Sequence, residues 1–212
     1  MHIVRAAAPP FFKNGFVVAC ERTAEAVLID PGDEVDELLS TIREQRLKVT
    51  AVLLTHAHFD HVTGVDAARR ALGAEVWLHP NDRFLYEQAT QQGRLFGIEV
   101  KQPAPVDRYY APDARFRFGQ YVVDVLPTPG HCPGGVCLAI GLEGLPAREL
   151  FVGDTLFAGS VGRTDLPGSD SGTLLASIRN VLFAFPDDTP VHPGHGPDTM
   201  IGIERTTNPF LI

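Results

Sequence analysis

Short apolar runs alternate with longer amphipathic segments along the first third of the chain. Residues 15–20 and 26–32 are rich in β-branched side chains and end in turn residues, which predicts two strands. Residues 33–46 carry acids in their first turn and apolar side chains at helical spacing, which predicts a helix. The apolar positions of this helix are Val35, Leu38, Leu39 and Ile42.

The alternation continues through the next fifty residues. The segment VTAVLLTH (residues 49–56) predicts a fully buried strand, and residues 62–72 return to helical spacing until Gly73. Residues 74–80 predict another strand, and Asp82 to Gln92 predict a further helix.

Strands dominate the second half of the chain. Residues 120–131 alternate like a half-buried strand that ends at a Pro-Gly break, and residues 135–141 and 149–154 predict two more strands. Residues 171–185 predict an amphipathic helix with a Ser or Thr cap, and residues 189–196 a last short strand. With no repeat or linker in view, the order predicts one α/β or layered α+β domain spanning residues 1–212.

Composition and charge narrow the function classes. The net charge of −8, with no Lys/Arg cluster, argues against a nucleic-acid partner. The longest apolar stretch is well short of the ~18 residues that a membrane span needs, and two prolines interrupt the apolar start before a signal peptide could form. Three cysteines without paired spacing suit a reducing compartment. We therefore expect a cytoplasmic protein with no membrane and no nucleic-acid partner.

The segment THAHFDH (residues 55–61) crowds four metal-ligand side chains into six positions. His56 and His58 are two apart, so an extended backbone directs both imidazoles to one side, while Asp60 and His61 follow where the chain turns into a helix. Ligand groups at the end of a buried strand also lie where open α/β sheets bind ligands. Burying so many titratable groups without a metal would be costly, so the cluster predicts a metal site.

Three later loops offer one further ligand each, again at the ends of predicted strands: His131 in TPGHCPGG, Asp154 in FVGDTLF and His195 in HPGHGPD. Five histidines and two aspartates without a cysteine quartet favour Zn²⁺, Mn²⁺ or Fe in an open catalytic site. Seven side chains exceed the needs of one tetrahedral ion, which favours two ions.

Other residues of these types have simpler interpretations. We interpret His2, His79 and His192 as capping or hydrogen-bonded polar residues. Cys132, next to a candidate ligand, is interpreted as a small packed residue, with a redox-sensitive thiol as the alternative.

These residues resemble the metallo-β-lactamase fold superfamily: THAHFDH matches its H-x-H-x-D-H signature, and His131, Asp154 and His195 follow in its order. The resemblance runs from VLIDPGD to the closing ERTTNPFL, and GDTLFAGSVGRTDLPGSD with HPGHGPDT is most similar to the short glyoxalase II-like hydrolases, the hydroxyacylglutathione hydrolase group. It implies an αββα sandwich, a four-layer α+β arrangement.

The resemblance also implies roles for the ligand residues. His56, His58 and His131 would hold one ion, Asp60, His61 and His195 a second, and Asp154 would bridge them. Zinc is the first choice for both ions, with iron or manganese as alternatives. A hydroxide bridging two such ions would attack a thioester carbonyl, with Asp60 and Asp154 as catalytic ligands.

Arg163, in the segment GSVGRTD, falls where glyoxalase II has a basic residue that contacts glutathione. We expect it to bind substrate; the alternative is an ion pair with Asp165 that stabilises the loop. The larger glyoxalases have a tyrosine where this sequence has Asp165, and the sequence ends after NPFLI without their helical glutathione-binding domain. The identity of the thiol carrier therefore stays open.

The resulting prediction is a binuclear metal-dependent hydrolase of hydroxyacyl-thiol thioesters of the S-lactoylglutathione type. The alternatives are a persulfide dioxygenase-like enzyme with one iron, a lactonase or other ester or amide hydrolase on the same site, and a non-enzymatic metal-binding sensor. The sequence leaves the native metal, the acyl group and the oligomeric state open.

Overall fold

The computed structural model describes residues 1–146 and 148–212. These residues form two compact units: residues 1–111 with 118–120, and residues 112–117 with 121–212. Among the described residues, no helix is both long enough and apolar enough to cross a bilayer. The three cysteines, all of them described and buried, form no disulfide bond.

The first unit contains a six-stranded sheet whose strands lie in chain order. The first three strands are antiparallel, and the remaining three continue the sheet in parallel. The strands are β1 (His2–Ala8), β2 (Lys13–Ala19), β3 (Glu25–Ile29), β4 (Lys48–Leu53), β5 (Val76–Leu78) and β6 (Arg108–Tyr109). Its helices are α1 (Val35–Glu44), α2 (Phe59–Val62), α3 (Val65–Leu72), α4 (Arg83–Glu87) and α5 (Ala89–Leu95).

Helices α1 and α3 follow from the sequence pattern. All four predicted apolar positions of α1 are buried, and Asp36, Glu37 and Arg43 place charge of the favourable sign at its two ends. Helix α3 ends at Gly73, whose φ of 64° is the left-handed conformation that glycine adopts without penalty. These helices connect parallel neighbours, as a crossover must.

The predicted helix over Asp82–Gln92 is wrong in its continuity, because the chain forms a 3₁₀ turn at Pro80–Asp82, then α4 and α5 as separate short helices. Side-chain amides supply the reason. Gln102 receives a hydrogen bond from the Thr90 amide and donates one to the Tyr86 carbonyl, the two groups that a continuous helix would pair with each other. Gln92 likewise donates to the Leu85 carbonyl.

The second unit contains another six-stranded sheet, in the order β7-β8-β9-β10-β13-β14, and a separate two-stranded ribbon, β11-β12. The sheet strands are β7 (Arg115–Phe118), β8 (Tyr121–Pro127), β9 (Val136–Leu142), β10 (Glu149–Gly153), β13 (Pro190–Pro193) and β14 (Thr199–Met200). The ribbon is β11 (Leu156–Phe157) and β12 (Ser160–Val161), and the helices are α6 (Ser171–Asn180) and α7 (Ile201–Thr207).

Helix α6 connects β10 to its parallel neighbour β13. Its buried Leu174 and Ile178 belong to the core cluster that includes Leu150 and Val191 of the sheet. The predicted Ser or Thr cap is wrong: Asp170 caps the helix, its carboxylate accepting a hydrogen bond from the Thr173 amide at 2.7 Å. The helix also ends at Asn180, and a 3₁₀ turn covers Leu182–Ala184.

Candidate metal centre

The histidine loop of the first unit follows β4, as the sequence predicts. Helix α2 begins at Phe59, and His58 is its N-cap with extended backbone angles (φ −67°, ψ 147°). The imidazoles of His56, His58 and His61 are all buried. The ring of His56 lies 4.0 Å from that of His61 and 4.9 Å from that of His58, centroid to centroid. Three imidazoles this close can offer several ring nitrogens to one cation, as a metal site requires.

Asp30 is the acceptor that organises this loop. It follows β3, and its carboxylate accepts hydrogen bonds from the Thr55 amide at 2.7 Å and the Thr55 hydroxyl at 2.6 Å. The same carboxylate lies 3.0 Å from Nδ1 of His61. Its φ of 46° is an unusual left-handed angle for an aspartate, and the three hydrogen bonds hold it there.

Asp30, His56 and His61 have ligand-type atoms within 4.8 Å of one another. We nevertheless interpret Asp30 as an orienting residue, because both of its oxygens already accept hydrogen bonds from Thr55 and one also pairs with His61. The sequence pattern predicts Asp30 only as the end of a strand. The DPG turn after an apolar run was the signal that could have identified it.

The tautomers of two histidines follow from these bonds. The Thr55 hydroxyl donates its proton to Asp30, so its oxygen accepts from Nδ1 of His56, 3.1 Å away. His61 likewise directs Nδ1–H to Asp30. Each ring therefore has Nε2 in the unprotonated form that a metal ion requires.

Two residues from the segment after β5 fix the backbone of the histidine loop. The buried carboxylate of Asp82 accepts a hydrogen bond from the Ala57 amide at 3.1 Å. Gln92 accepts from the Phe59 amide at 3.2 Å and donates to the Ala57 carbonyl at 3.2 Å. The sequence pattern does not predict either contact, since 25 and 35 residues separate the partners.

The second unit brings its three predicted ligands together. Asp154 follows β10 and His195 follows β13, and these strands are parallel neighbours, so both residues lie at the same end of the sheet. One carboxylate oxygen of Asp154 lies 3.6 Å from Nε2 of His131 and 3.7 Å from Nε2 of His195. A carboxylate between two imidazole nitrogens is suited to share a cation with each of them.

The orientation of His131 depends on the Arg163 backbone. Nδ1 of His131 donates a hydrogen bond to the Arg163 carbonyl at 2.9 Å, which leaves Nε2 in the form that binds metal. Gly162 is required nearby, since a Cβ there would lie 1.9 Å from the Asp154 carbonyl oxygen and 3.1 Å from Nδ1 of His131. This backbone role of the GRTD segment was not predicted.

The side chain of Arg163 forms the ion pair with Asp165 that is its alternative predicted role. Two parallel hydrogen bonds of 2.7 Å join the guanidinium to the Asp165 carboxylate. These bonds are the main reason that the pKa of Asp165 is lowered to about 2. About half of the arginine side chain is exposed (51%) while it forms this pair. A substrate-binding role for Arg163 stays a prediction.

Two of the remaining histidines have structural partners. Nδ1 of His79 accepts a hydrogen bond from the Asn81 amide at the start of the 3₁₀ turn, and burial lowers the pKa of this imidazole. His192 lies between Glu149 at 2.8 Å and Asp198 at 3.3 Å. Cys132 is buried. The contacts of His79 and His192 agree with their interpretation as structural residues, and burial agrees with that of Cys132 as a packed residue.

The donor set in each unit consists of imidazole nitrogens and carboxylate oxygens. Zn²⁺, Mn²⁺ and Fe all accept such ligands, and the side chains present therefore fit a metal of this class.

The chain belongs to the metallo-β-lactamase superfamily. The family model described as "Metallo-beta-lactamase superfamily" matches residues 8–195. Among curated relatives, "Probable metallo-hydrolase YqgX" of Bacillus subtilis (strain 168) is 39% identical over 88% of this chain and 87% of that protein. "Hydroxyacylglutathione hydrolase GloC" of Haemophilus influenzae (strain ATCC 51907 / DSM 11121 / KW20 / Rd) is 37% identical over the same shares. The predicted superfamily and its relation to hydroxyacylglutathione hydrolases are thus confirmed.

Two crystal structures are similar over nearly the whole chain. One is "BLEG-1 B3 metallo-beta-lactamase", with a TM-score of 0.88 and 38% identity over 99% of both chains. The other is TTHA1623 "in a di-iron-bound form", with a TM-score of 0.85 and 43% identity over 98% of this chain and all of the other. The predicted mixed α/β metallo-β-lactamase fold is confirmed, and superfamily membership supports a metal-dependent hydrolase.

Proposed function

We propose that this chain is a binuclear metal-dependent hydrolase that cleaves acyl thioesters, as glyoxalase II-like enzymes do. The observation that carries the proposal is that hydrogen bonds at Nδ1 fix the tautomer of three candidate ligand histidines. Nδ1 of His56, His61 and His131 each has a hydrogen-bond partner within its own unit, so each ring directs Nε2 to a metal. Histidines with purely structural roles would not need one common tautomer.

The ligand assignment follows the superfamily pattern. We assign His56, His58 and His131 to one ion and Asp60, His61 and His195 to a second, with Asp154 between them. Two divalent ions bound by such groups would act as Lewis acids toward a carbonyl oxygen and make a water nucleophilic near neutral pH. We take zinc as the first choice, while the di-iron form of TTHA1623 supports iron as the alternative.

The protein's own residues position the reaction. Asp30 keeps the His61 ring in one orientation, and the Arg163 carbonyl does the same for His131. The guanidinium of the half-exposed Arg163 side chain would bind a carboxylate of the substrate's thiol part. A thiolate leaving group has a pKa near 8.5, so it departs without a general acid, and we assign no proton donor to it.

Thioesters are favoured over other esters and amides by the relative named hydroxyacylglutathione hydrolase, at 37% identity over most of both chains. A small-molecule thioester is therefore the proposed partner. A β-lactam amide is the second candidate, because BLEG-1, named a B3 metallo-β-lactamase, is 38% identical over nearly the full length.

Metal analysis and a substrate comparison test the proposal together. Purified protein should contain two divalent ions per chain and should hydrolyse S-lactoylglutathione faster than a lactone or a penicillin. An inert thioester alongside rapid penicillin hydrolysis would select the second candidate. One iron per chain, with oxygen uptake on a glutathione persulfide, would select the dioxygenase alternative.

Variants of the assigned metal ligands test whether the hydrolysis rate depends on the bound metal. His58→Ala and Asp154→Ala should each lose stoichiometric metal and at least 100-fold in kcat/KM, because an ion that has lost a ligand binds weakly. His79→Ala is the control, since its imidazole caps a 3₁₀ turn and should leave metal content and rate nearly unchanged. Full metal content and rate in Asp154→Ala would contradict its bridging role.

A further inference from the structure

Three aromatic rings from separate segments of the first unit pack together beside the histidine loop. The ring of Phe59 lies 5.2 Å from that of Phe11 and 5.4 Å from that of Phe96, and Phe11 lies 6.3 Å from Phe96, centroid to centroid. Both contacts of Phe11 are edge-on, an arrangement that aromatic pairs favour. Phe59 is buried beneath the other two.

Exposed apolar side chains are concentrated around this cluster. Phe12 is 62% exposed, Leu95 80% and Phe96 44%. Among the described residues only ten large hydrophobic side chains are exposed, and these three lie on the two segments that meet at Phe59. Phe12 and Leu95 are the chain neighbours of Phe11 and Phe96, and exposed apolar side chains on two adjoining segments favour a binding surface over scattered exposure.

The backbone of Phe12 adds an independent sign of function. Its φ is 51°, a left-handed angle that bulky residues adopt only at a cost. Its amide donates to the Ala8 carbonyl at 2.9 Å, which closes the loop between β1 and β2. A glycine would fit this position without strain, so the exposed phenyl ring has a cost that the fold does not require.

The cluster is continuous with the candidate metal ligands. Phe59 stands between His58 and Asp60 in the chain. The backbone amide of Phe59 donates a hydrogen bond to Gln92, which lies four residues before Phe96. The rings are thus held against the loop that carries the ligands. Residues 9–12 and 95–98 contain no ionisable side chain, which favours an apolar group over the carboxylates of a glutathione molecule.

We propose that Phe11, Phe12, Leu95 and Phe96, with Phe59 behind them, form the subsite for an apolar acyl chain of the thioester substrate. This inference rests on the proposed thioesterase function and narrows it. The substrate class becomes medium-chain or aryl acyl thioesters, while lactoyl, a short hydroxylated acyl group, would leave the subsite unfilled.

A chain-length series tests the subsite. N-acetylcysteamine thioesters from acetyl to octanoyl share one neutral thiol, and the metal-loaded protein should hydrolyse them with kcat/KM rising about two- to fourfold per methylene. Phe12→Gly and the double variant Phe12→Ser/Phe96→Ser should remove most of that rise, so that the ratio of the octanoyl to the acetyl kcat/KM falls toward one. Phe210→Ser, at a side chain 53% exposed in the second unit, is the matched control and should keep the rise.

Phe12→Gly separates binding from structure, because glycine relieves the left-handed strain. Its melting temperature should be equal to or above that of the wild type, while its chain-length preference is lost. A flat series in the wild type, or a rise that the double variant retains, would overturn the proposal. A dimer in sedimentation that Phe12→Ser dissociates would also overturn the proposal, because the proposed subsite would then be a subunit interface.

Binding of inert analogues distinguishes the thioesterase proposal from the apolar-subsite proposal. Calorimetric affinity for S-alkyl N-acetylcysteamine thioethers should rise from methyl to octyl in the wild type and stay flat in the double variant. If that rise appears while no thioester is hydrolysed, the thioesterase proposal is wrong and the apolar subsite stands. If thioesters are hydrolysed but neither series depends on length, the subsite is wrong and the thioesterase stands.

Discussion

Asp30 and His61, 31 residues apart, form a buried carboxylate–imidazole pair with Oδ2 and Nδ1 3.0 Å apart. The same carboxylate accepts two hydrogen bonds from Thr55, so one side chain at the end of β3 holds the start and the end of the histidine loop. Pairs of this kind fix the tautomer and raise the basicity of a metal-ligating histidine.

Asp30→Asn tests this orienting role. The variant keeps the size of the side chain but replaces one accepting oxygen with a donating NH₂ group, so at least one of the three hydrogen bonds is lost. We expect metal affinity to fall about 10- to 100-fold at the ion assigned to His61 in the proposal. Competition with a chromogenic chelator measures this. Asp33→Asn, an exposed aspartate that accepts from the Thr63 hydroxyl, is the control; equal losses in both variants would contradict the role.

The Lys13–Glu34 pair gives a second prediction, about stability. The two side chains are 2% and 1% exposed, and Nζ of Lys13 lies 2.5 Å from Oε1 of Glu34. Lys13 also donates to the Asp30 carbonyl, and the Gly32 amide donates to Oε1 of Glu34 at 2.9 Å. Lys13→Met would leave a buried carboxylate without its cation, which costs ~3–5 kcal/mol of unfolding free energy.

Removing both charges should cost less than the sum of the single changes. Urea unfolding of Lys13→Met, Glu34→Leu and the double variant forms a cycle that measures the coupling. The exposed pair Arg83–Glu87 is the reference, where Arg83→Met should leave the free energy of unfolding nearly unchanged because solvent screens the pair. Additive losses in the Lys13–Glu34 cycle would show that the pair is not coupled.

Two buried tyrosines should make the stability of the fold depend on pH in the alkaline range. The hydroxyl of Tyr86 donates to the Ala104 carbonyl at 2.8 Å, and that of Tyr110 to the Leu54 carbonyl at 3.2 Å. Burial raises the pKa of both phenols above their ordinary value. The unfolded chain therefore loses these protons first, and stability that is complete below pH ~10 declines as the pH rises beyond it.

Absorbance at 295 nm and far-UV circular dichroism should detect this together, with Tyr86 and Tyr110 ionising only as the fold is lost. Tyr86→Phe should cost ~1 kcal/mol at neutral pH through the lost hydrogen bond, yet give a shallower decline above pH 10. Tyr109→Phe, at an exposed ring, should change neither quantity. Ionisation of Tyr86 near pH 10 in the intact fold would contradict the prediction.

Arg163 and Asp165 can be separated by matched variants. If the guanidinium binds substrate, Arg163→Ala should raise KM for an anionic thioester about tenfold with kcat little changed, because the lost contact is made equally before and during reaction. Asp165→Asn breaks the bidentate pair but keeps the guanidinium, so KM should not rise. Equal effects in both variants would favour the loop-stabilising role.

The same pair has a defined pH dependence. The lowered pKa of Asp165, about 2, reflects first its hydrogen bonds from Arg163, and Arg163→Ala should return it toward 4. Because the pKa of Asp165 is lowered in the folded state, the pair contributes to stability above pH ~4, and this contribution is lost as the pH falls through about 2. Carboxyl-carbon NMR titration follows this directly, and an unchanged pKa in Arg163→Ala would contradict the cause given.

The sequence by itself determined the features that depend on near neighbours. Apolar spacing located α1, Gly73 marked the end of α3, and the histidine–aspartate signature from His56 to His61 pointed to the superfamily. The break between α4 and α5 escaped prediction because glutamines outside α4 take over hydrogen bonds that a continuous helix needs. Strand β1 was missed because its residues are mostly only half-buried at a sheet edge, so their alternation is weak.

Only the tertiary structure decided what holds the ligands in place. Asp30 meets His61, Lys13 meets Glu34, and the Arg163 carbonyl meets His131 across separations of 31, 21 and 32 residues. Local spacing reports which face of a helix or strand a residue occupies. Partners from distant segments are fixed by how sheet and loops pack, because only packing brings a buried donor within reach of its acceptor.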